Sequence, residues 1–117
     1  EKIDFEGKEL KSNMNYSLFG TTMNYLIENS ILEIPDYIKI DVDGIEHLIL
    51  EGGDRYLKNK KIKSLSIEIN ENFKEQYDNV LKIMYKNNFK VLHKKNNIKA
   101  QASNSKHLNI FNYIFVR

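Results

Sequence analysis

Tyr37-Ile38-Lys39-Ile40-Asp41-Val42-Asp43-Gly44-Ile45-Glu46 is the stretch on which the fold turns. Ile38, Ile40 and Val42 share one side, and Tyr37, Lys39 and Asp41 the other. This is the period-two pattern of a strand with one apolar face. Asp43-Gly44 stops the strand. Gly44 to Leu50 then starts a helix, with Ile45, Leu48 and Ile49 on one side.

Upstream, Thr21 or Thr22 can cap a helix carrying Met23, Leu26, Ile27 and Ser30, which ends near Ile31. Pro35 breaks the chain and pushes Ile34 towards extended geometry. Residues 1–20 are the least defined lead-in, with a short strand expected over Glu1–Gly7 and a turn over Lys11–Asn15. Asn15-Tyr16-Ser17 matches a glycosylation sequon by chance, since no secretory signal accompanies it.

Downstream, Gly52-Gly53 interrupts the helix, and Asp54 is expected to cap a second turn through Leu57. Ser64 to Ile69 alternates strictly, with Leu65, Ile67 and Ile69 facing one way and Ser64, Ser66 and Glu68 the other. Asn72 to Asn87 is a helix with Phe73, Tyr77, Val80, Leu81 and Met84 as its apolar stripe, which reads as core. Phe89 to His93 is a strand, Lys94 to Lys106 a polar loop, and Ile110 to Val116 a last strand. Strands alternating with helices predict an α/β fold with a parallel sheet covered on both faces. The last two strands lack an intervening helix and are free to pair antiparallel. No linker or repeat divides residues 1–117, so a single domain is expected.

Composition excludes several classes. The 117 residues contain no cysteine, so thiol catalysis, thiolate metal sites and disulfides are out. No apolar run approaches the ~18 residues of a membrane span. With 18 Lys+Arg against 16 Asp+Glu, the chain lacks the basic excess of a dedicated nucleic-acid binder. No signal peptide opens the sequence, so a cytoplasmic location is expected. The runs Lys58-Asn59-Lys60-Lys61 and Lys94-Lys95 read as solvated.

Open α/β sheets bind ligands beyond the carboxyl ends of their strands. Two such ends are polar here: Asp41-Val42-Asp43-Gly44 and Glu68-Ile69-Asn70-Glu71. If the strands are neighbours, Lys39, Asp41, Glu68 and Asn70 converge. Three readings stay open: Asp41, Glu68 and Asn70 as oxygen ligands of a divalent metal, a carboxylate as general base, or mutual neutralisation of Lys39 and Glu68. An EF-hand is rejected because an apolar helix starts where further ligands are needed. His47, in the first helical turn, is within reach of the strand ends as an acid or base. His93 and His107 flank the loop without partners in the sequence.

From Thr21 onwards the chain resembles the carboxyl-terminal half of FkbM-type methyltransferases. The resemblance centres on Lys39-Ile40-Asp41-Val42-Asp43-Gly44-Ile45-Glu46. It continues in Leu50-Glu51-Gly52, in Ser66-Ile67-Glu68-Ile69 and in Asn112-Tyr113-Ile114-Phe115. Asn24 stands where that family usually has aspartate.

The resemblance implies a Rossmann-like fold, here a partial sheet of the last parallel strands plus a terminal antiparallel pair with flanking helices. It also implies methyl transfer from S-adenosylmethionine, with a small-molecule or glycan hydroxyl as acceptor. On that reading Asp41 lies near the transferred methyl and Gly44 allows the turn, both beside the cofactor. Asp43 and Glu68 deprotonate or orient the acceptor, and Glu46 or His47 lines the pocket. A divalent metal is an open addition.

The glycine-rich loop that such enzymes place after their first strand is missing, for no G-x-G occurs in this sequence. The chain alone is therefore expected to be inactive. A binding or assembly module of the same fold is the alternative. The strand over 37–42 would also lose a neighbour, so a homodimer or a strand swap through 37–42 is expected, or cover by residues 1–20.

Overall fold

The computed structural model describes residue 9, residues 17–96 and residues 109–117. The expected strand over residues 1–7, the turn over 11–15, the sequon's Asn15 and Tyr16, and His107 lie outside these.

In chain order the elements are α1 (Met23–Glu28), β1 (Tyr37–Ile40), α2 (Glu46–Glu51), β2 (Ser64–Asn70), α3 (Lys74–Lys86), β3 (Lys90–Asn96) and β4 (Ile110–Val116). The sheet order is β1-β2-β4-β3. β1 pairs parallel to β2, with Tyr37 opposite Ser64 and Ile40 opposite Ile67. β4 runs antiparallel to both of its neighbours, β2 and β3. It thus separates two strands that run in the same direction. The sheet is therefore mixed, as expected, and the last two strands do pair antiparallel.

Local chemistry explains the helix ends. Thr22 Oγ1 accepts the Tyr25 N–H at 3.1 Å, satisfying a donor that the first turn leaves unpaired. α1 stops when Ser30 turns left-handed at φ 57°. The Ser30 N–H then reaches the Ile27 carbonyl and the Ile31 N–H the Leu26 carbonyl, which is a Schellman closure. α3 ends the same way on Asn88 at φ 64°, with Phe89 N–H on the Met84 carbonyl at 3.0 Å. Asparagine tolerates this region better than most side chains.

Ile40, Leu50, Leu57, Ile62, Leu65, Ile67, Ile69, Val80, Met84, Phe89, Tyr113 and Phe115 make one core, and Met23 of α1 packs against it. The alternation of β2 holds throughout: Leu65, Ile67 and Ile69 are buried, while Ser64, Ser66, Glu68 and Asn70 are only half-buried. Among the described residues all three helices feed this one core, so the expectation of helices on both faces is corrected. The other face carries Tyr37 and Lys39, Ser64 to Asn70 at every second position, and Asn112, Ile114 and Val116. Arg117 fastens the far end of the sheet. Its guanidinium lies 4.1 Å from the Phe89 ring centroid and donates to the carbonyls of Ile62, Leu57, Asn87 and Asn59.

Three further expectations change. β1 stops at Ile40 rather than Val42, because Asp41 onwards already turns towards α2. Asp54 does not cap: its Oδ1 accepts from Asn24 Nδ2 at 2.7 Å, and the following turn closes on the Gly53 carbonyl instead. The apolar side of α2 points outward. Ile45, Leu48 and Ile49 are exposed, whereas Glu46 and Leu50 are buried.

Candidate functional site

β1 runs parallel to β2 and stops opposite Ile67, while β2 continues to Asn70, so Asp41, Asp43 and Glu46 follow the end of β1 and Glu68 lies in the last residues of β2. The link after β1 is tight. Gly44 sits at φ 99°, a region that favours glycine, and its N–H contacts the Val42 carbonyl at 2.6 Å. The same N–H donates to Glu46 Oε1 at 3.1 Å. Glu46 is thus folded back over the turn and buried at 6% exposure. Burial pushes its carboxyl above the ordinary value and Asp43 adds to this. Hydrogen bonds from the Glu46 and Gly44 N–H groups, together with His47, pull the other way.

Glu68, two residues before the end of β2, lies on the open face. Burial raises its carboxyl, and the charges of Asp41, Asp43 and Glu46 raise it further, with Lys39 opposing them among the described residues. Lys39 itself pairs with Asp41, Nζ to Oδ2 at 2.8 Å, and that hydrogen bond raises its own value. The structure therefore brings together Asp41, Asp43, Glu46, Glu68 and Lys39. A half-buried carboxylate ringed by like charges holds its proton more tightly than usual, which suits a group that must take a proton from a hydroxyl.

The remaining predicted residues stand as follows. Asn70 Oδ1 accepts the Asn72 N–H at 3.0 Å, which shapes the turn into α3. Among the described residues no three His, Cys, Asp or Glu side chains are grouped to hold a metal ion. His47 lies in the first turn of α2, half-buried, with its Nδ1 buried and without a hydrogen-bond partner among the described residues. His93 is on the open face opposite Ile114, away from the strand ends.

A second cluster escaped the sequence reading. Glu71, just beyond β2, accepts from Lys94 Nζ at 2.7 Å and from the hydroxyl of buried Tyr113. Lys94 Nζ also lies 4.3 Å from the Phe111 ring centroid and 5.6 Å from that of Tyr113. Burial pushes Glu71 up, but the two hydrogen bonds and the Lys94 charge outweigh it and hold the carboxyl below its ordinary value. Burial and the Glu71 carboxylate hold the Tyr113 proton far more tightly than in a free phenol. Lys94 is exposed, as expected of a solvated lysine. It reaches the core side because β3 bulges between Val91 and His93, so that Lys94 rather than His93 stands with Tyr113.

A family model described as the methyltransferase FkbM domain matches residues 20–91. This chain belongs to the FkbM methyltransferase domain family. The FkbM match runs from the residues before α1 into the start of β3, and so contains both carboxylate-bearing strand ends. No curated protein and no solved structure matches the chain. No helix among the described residues is long and apolar enough to cross a membrane.

Family membership implies S-adenosylmethionine, and the described residues answer its chemistry only in part. Carboxylates at the strand ends complement the cationic sulfonium and amine of such a cofactor. A glycine cradle is not among them. A Cβ on Gly53 would come within 2.1 Å of Met23 Cε, and one on Gly52 within 3.3 Å of Thr22 Cβ. Both glycines are thus used to seat α1 on the turn after α2, not to approach a ligand.

Proposed function

We propose that this chain is the carboxyl-terminal, acceptor-side half of an S-adenosylmethionine-dependent O-methyltransferase domain acting on a sugar or glycan hydroxyl. The carrying observation is Glu68, held protonation-prone by burial and by Asp41, Asp43 and Glu46 at the two strand ends of an FkbM-family sheet.

An acceptor hydroxyl must lose its proton as it is alkylated, and a general base contributes most when its affinity for protons is raised towards the working pH. Glu68 takes that proton. Asp41 and Asp43 orient the hydroxyl by accepting or sharing hydrogen bonds beside it. Gly44, at φ 99°, makes the tight turn that carries Asp41 and Asp43 past the end of β1. His47 lines the site from the first turn of α2. The residues described do not cradle the cofactor, so its main contacts come from sequence upstream of this half.

Calorimetric titration of S-adenosylmethionine into the 117-residue chain, with and without magnesium, tests this. No binding is expected from the chain, and binding should appear once upstream sequence is joined to it. If the extended protein also binds no cofactor, the chain is a binding or assembly module with a methyltransferase fold. A requirement for magnesium would bring the Asp41, Glu68 and Asn70 ligand set forward.

A further inference from the structure

A cleft of about 370 Å³ runs between α3 and the turns that follow α2. Arg117 bonds both the Asn87 carbonyl, at the end of α3, and the Ile62 carbonyl, just before β2. The cleft, lined by the last turn of α3, therefore lies near the amino end of β2, away from the carboxylate site. Lys58 stands on one wall, and Lys82 and Lys86 on the other. Lys82 and Lys86 are four positions apart on α3 and so project from one helix face. Elsewhere Lys39, Lys61, Lys63, Lys94 and Arg55 each pair with a carboxylate. The three cleft lysines have no such partner among the described residues, although Glu51 and Asp54 line the same cleft. Asn87 lines it too and is buried at 4% exposure. Its Nδ2 donates to the Ile83 carbonyl at 2.8 Å, but its Oδ1 is buried without a hydrogen-bond partner among the described residues. Buried acceptors are rarely left without a donor.

We infer that this cleft binds a phosphorylated sugar, with the phosphate held by Lys58, Lys82 and Lys86 and a sugar hydroxyl donating to Asn87 Oδ1. A phosphate monoester brings a charge of about −1.5 to −2 at pH 7 and three strong acceptor oxygens, one for each ammonium group. Such charge-assisted hydrogen bonds are the strong ones. The carboxylates narrow the ligand further. Glu51 and Asp54 repel a bare phosphate but accept from hydroxyls, so they favour a hydroxylated anion over an inorganic one. Asp54 already accepts from Asn24, which leaves Glu51 the freer of the two. The frame is fixed in advance. The Arg117 guanidinium donates to the carbonyls of Leu57 and Asn59, on either side of Lys58, and of Asn87, next to Lys86. Groups held in place beforehand lose less freedom when a ligand arrives. The volume also falls within the range of roughly 300–1,000 Å³ usual for small-molecule sites. None of this depends on the methyl-transfer reading, because the cleft shares no residue with the carboxylate site.

Titration of glucose 6-phosphate into the isotope-labelled 117-residue chain, followed by its amide resonances, tests this. Saturable shifts are expected around Lys58, Lys82 and Lys86 and at the Asn87 side-chain amide. Inorganic phosphate should bind about tenfold more weakly, and glucose should move nothing, since each lacks one half of the recognised group. Lys82→Glu and Lys86→Glu alter exposed side chains, and each should weaken binding about tenfold or more with the dispersed spectrum retained. Lys74→Glu, at the other end of α3, should leave the affinity unchanged. The absence of saturable shifts overturns the inference. Inorganic phosphate binding as tightly as the sugar phosphate overturns it too, as does Lys74→Glu weakening binding as much as the cleft variants, which would mean attraction by overall charge alone.

Discussion

Two glutamates three positions apart at the end of β2 are tuned in opposite directions. Glu68 sits on the open face among Asp41, Asp43 and Glu46, and its carboxyl is raised. Glu71 sits beyond the same strand on the core side, bonded to Lys94 and Tyr113, and its carboxyl is lowered. Both are partly buried, and burial alone would raise both. What differs is company: like charges in one case, a cation and a hydroxyl donor in the other. Glu71 is therefore a fastener, tying the end of β2 to Lys94 of β3 and Tyr113 of β4. Glu68 carries an unresolved electrostatic cost, which is the condition expected of a reactive group rather than a structural one.

The largest effect should come from Glu68→Gln, read in the extended protein proposed above to bind the cofactor. Loss of a general base typically costs about 10²- to 10⁴-fold in rate. We expect a fall in kcat of that order with cofactor affinity and folding retained. Methyl-transfer kinetics beside a thermal melt would check it, and an unchanged kcat would remove Glu68 from the chemistry.

Next in size is Glu71→Gln. It weakens the acceptor of the buried Tyr113 hydroxyl and leaves Lys94 without its counter-charge. A buried donor stripped of a good partner costs about 1–3 kcal/mol, so the urea midpoint should fall accordingly. Glu68→Gln should leave that midpoint unchanged or raise it. If the two substitutions destabilise equally, the contrast between the glutamates is lost.

The pH dependence should separate them further. Because the Glu71 carboxyl is lowered on folding, its stabilising contribution is present above the ordinary carboxylate value and is lost as pH falls through the folded value. Glu68 has the opposite sign. Its penalty is absent below the ordinary value and develops as pH rises through the raised folded value. Unfolding curves collected across the acid range should therefore lose slopes of opposite sign in the Glu68→Gln and Glu71→Gln variants.

The smallest effect is expected from Lys39→Ala. Its ion pair with Asp41 is exposed, so stability should hardly move. Glu68 loses the opposing charge of Lys39, so its carbon resonance should titrate at higher pH than in the wild type. A shift in the other direction would mean that Lys39 does not act on Glu68.

Much of this architecture was legible in the residues. The strict alternation of Ser64 to Ile69 and the stripe from Tyr77 to Met84 predicted β2 and α3, because burial on one face leaves its period in the chain. That Asp41 and Glu68 lie on neighbouring parallel strands followed from the α/β order. Other features left no local trace. Nothing in Ile110 to Val116 says that β4 inserts between β2 and β3, since strand order depends on partners far away in sequence. The bulge at Leu92 reverses which side chains face the core, and with it the fate of Lys94. In α2 the apolar periodicity favoured Ile45, Leu48 and Ile49 as the inner side. The turn at Gly44 instead fixes Glu46 inward through its hydrogen bond to the Gly44 N–H, and Leu50 follows one turn later.

The sequence by itself thus determined the elements, their α/β order and the carboxylates at two strand ends, because these depend on short-range periodicity and turn chemistry. The tertiary structure alone decided the charge environment of Glu68 and Glu71 and the outward turn of the α2 stripe. Those depend on which groups meet across the sheet, and a burial period does not encode its partner.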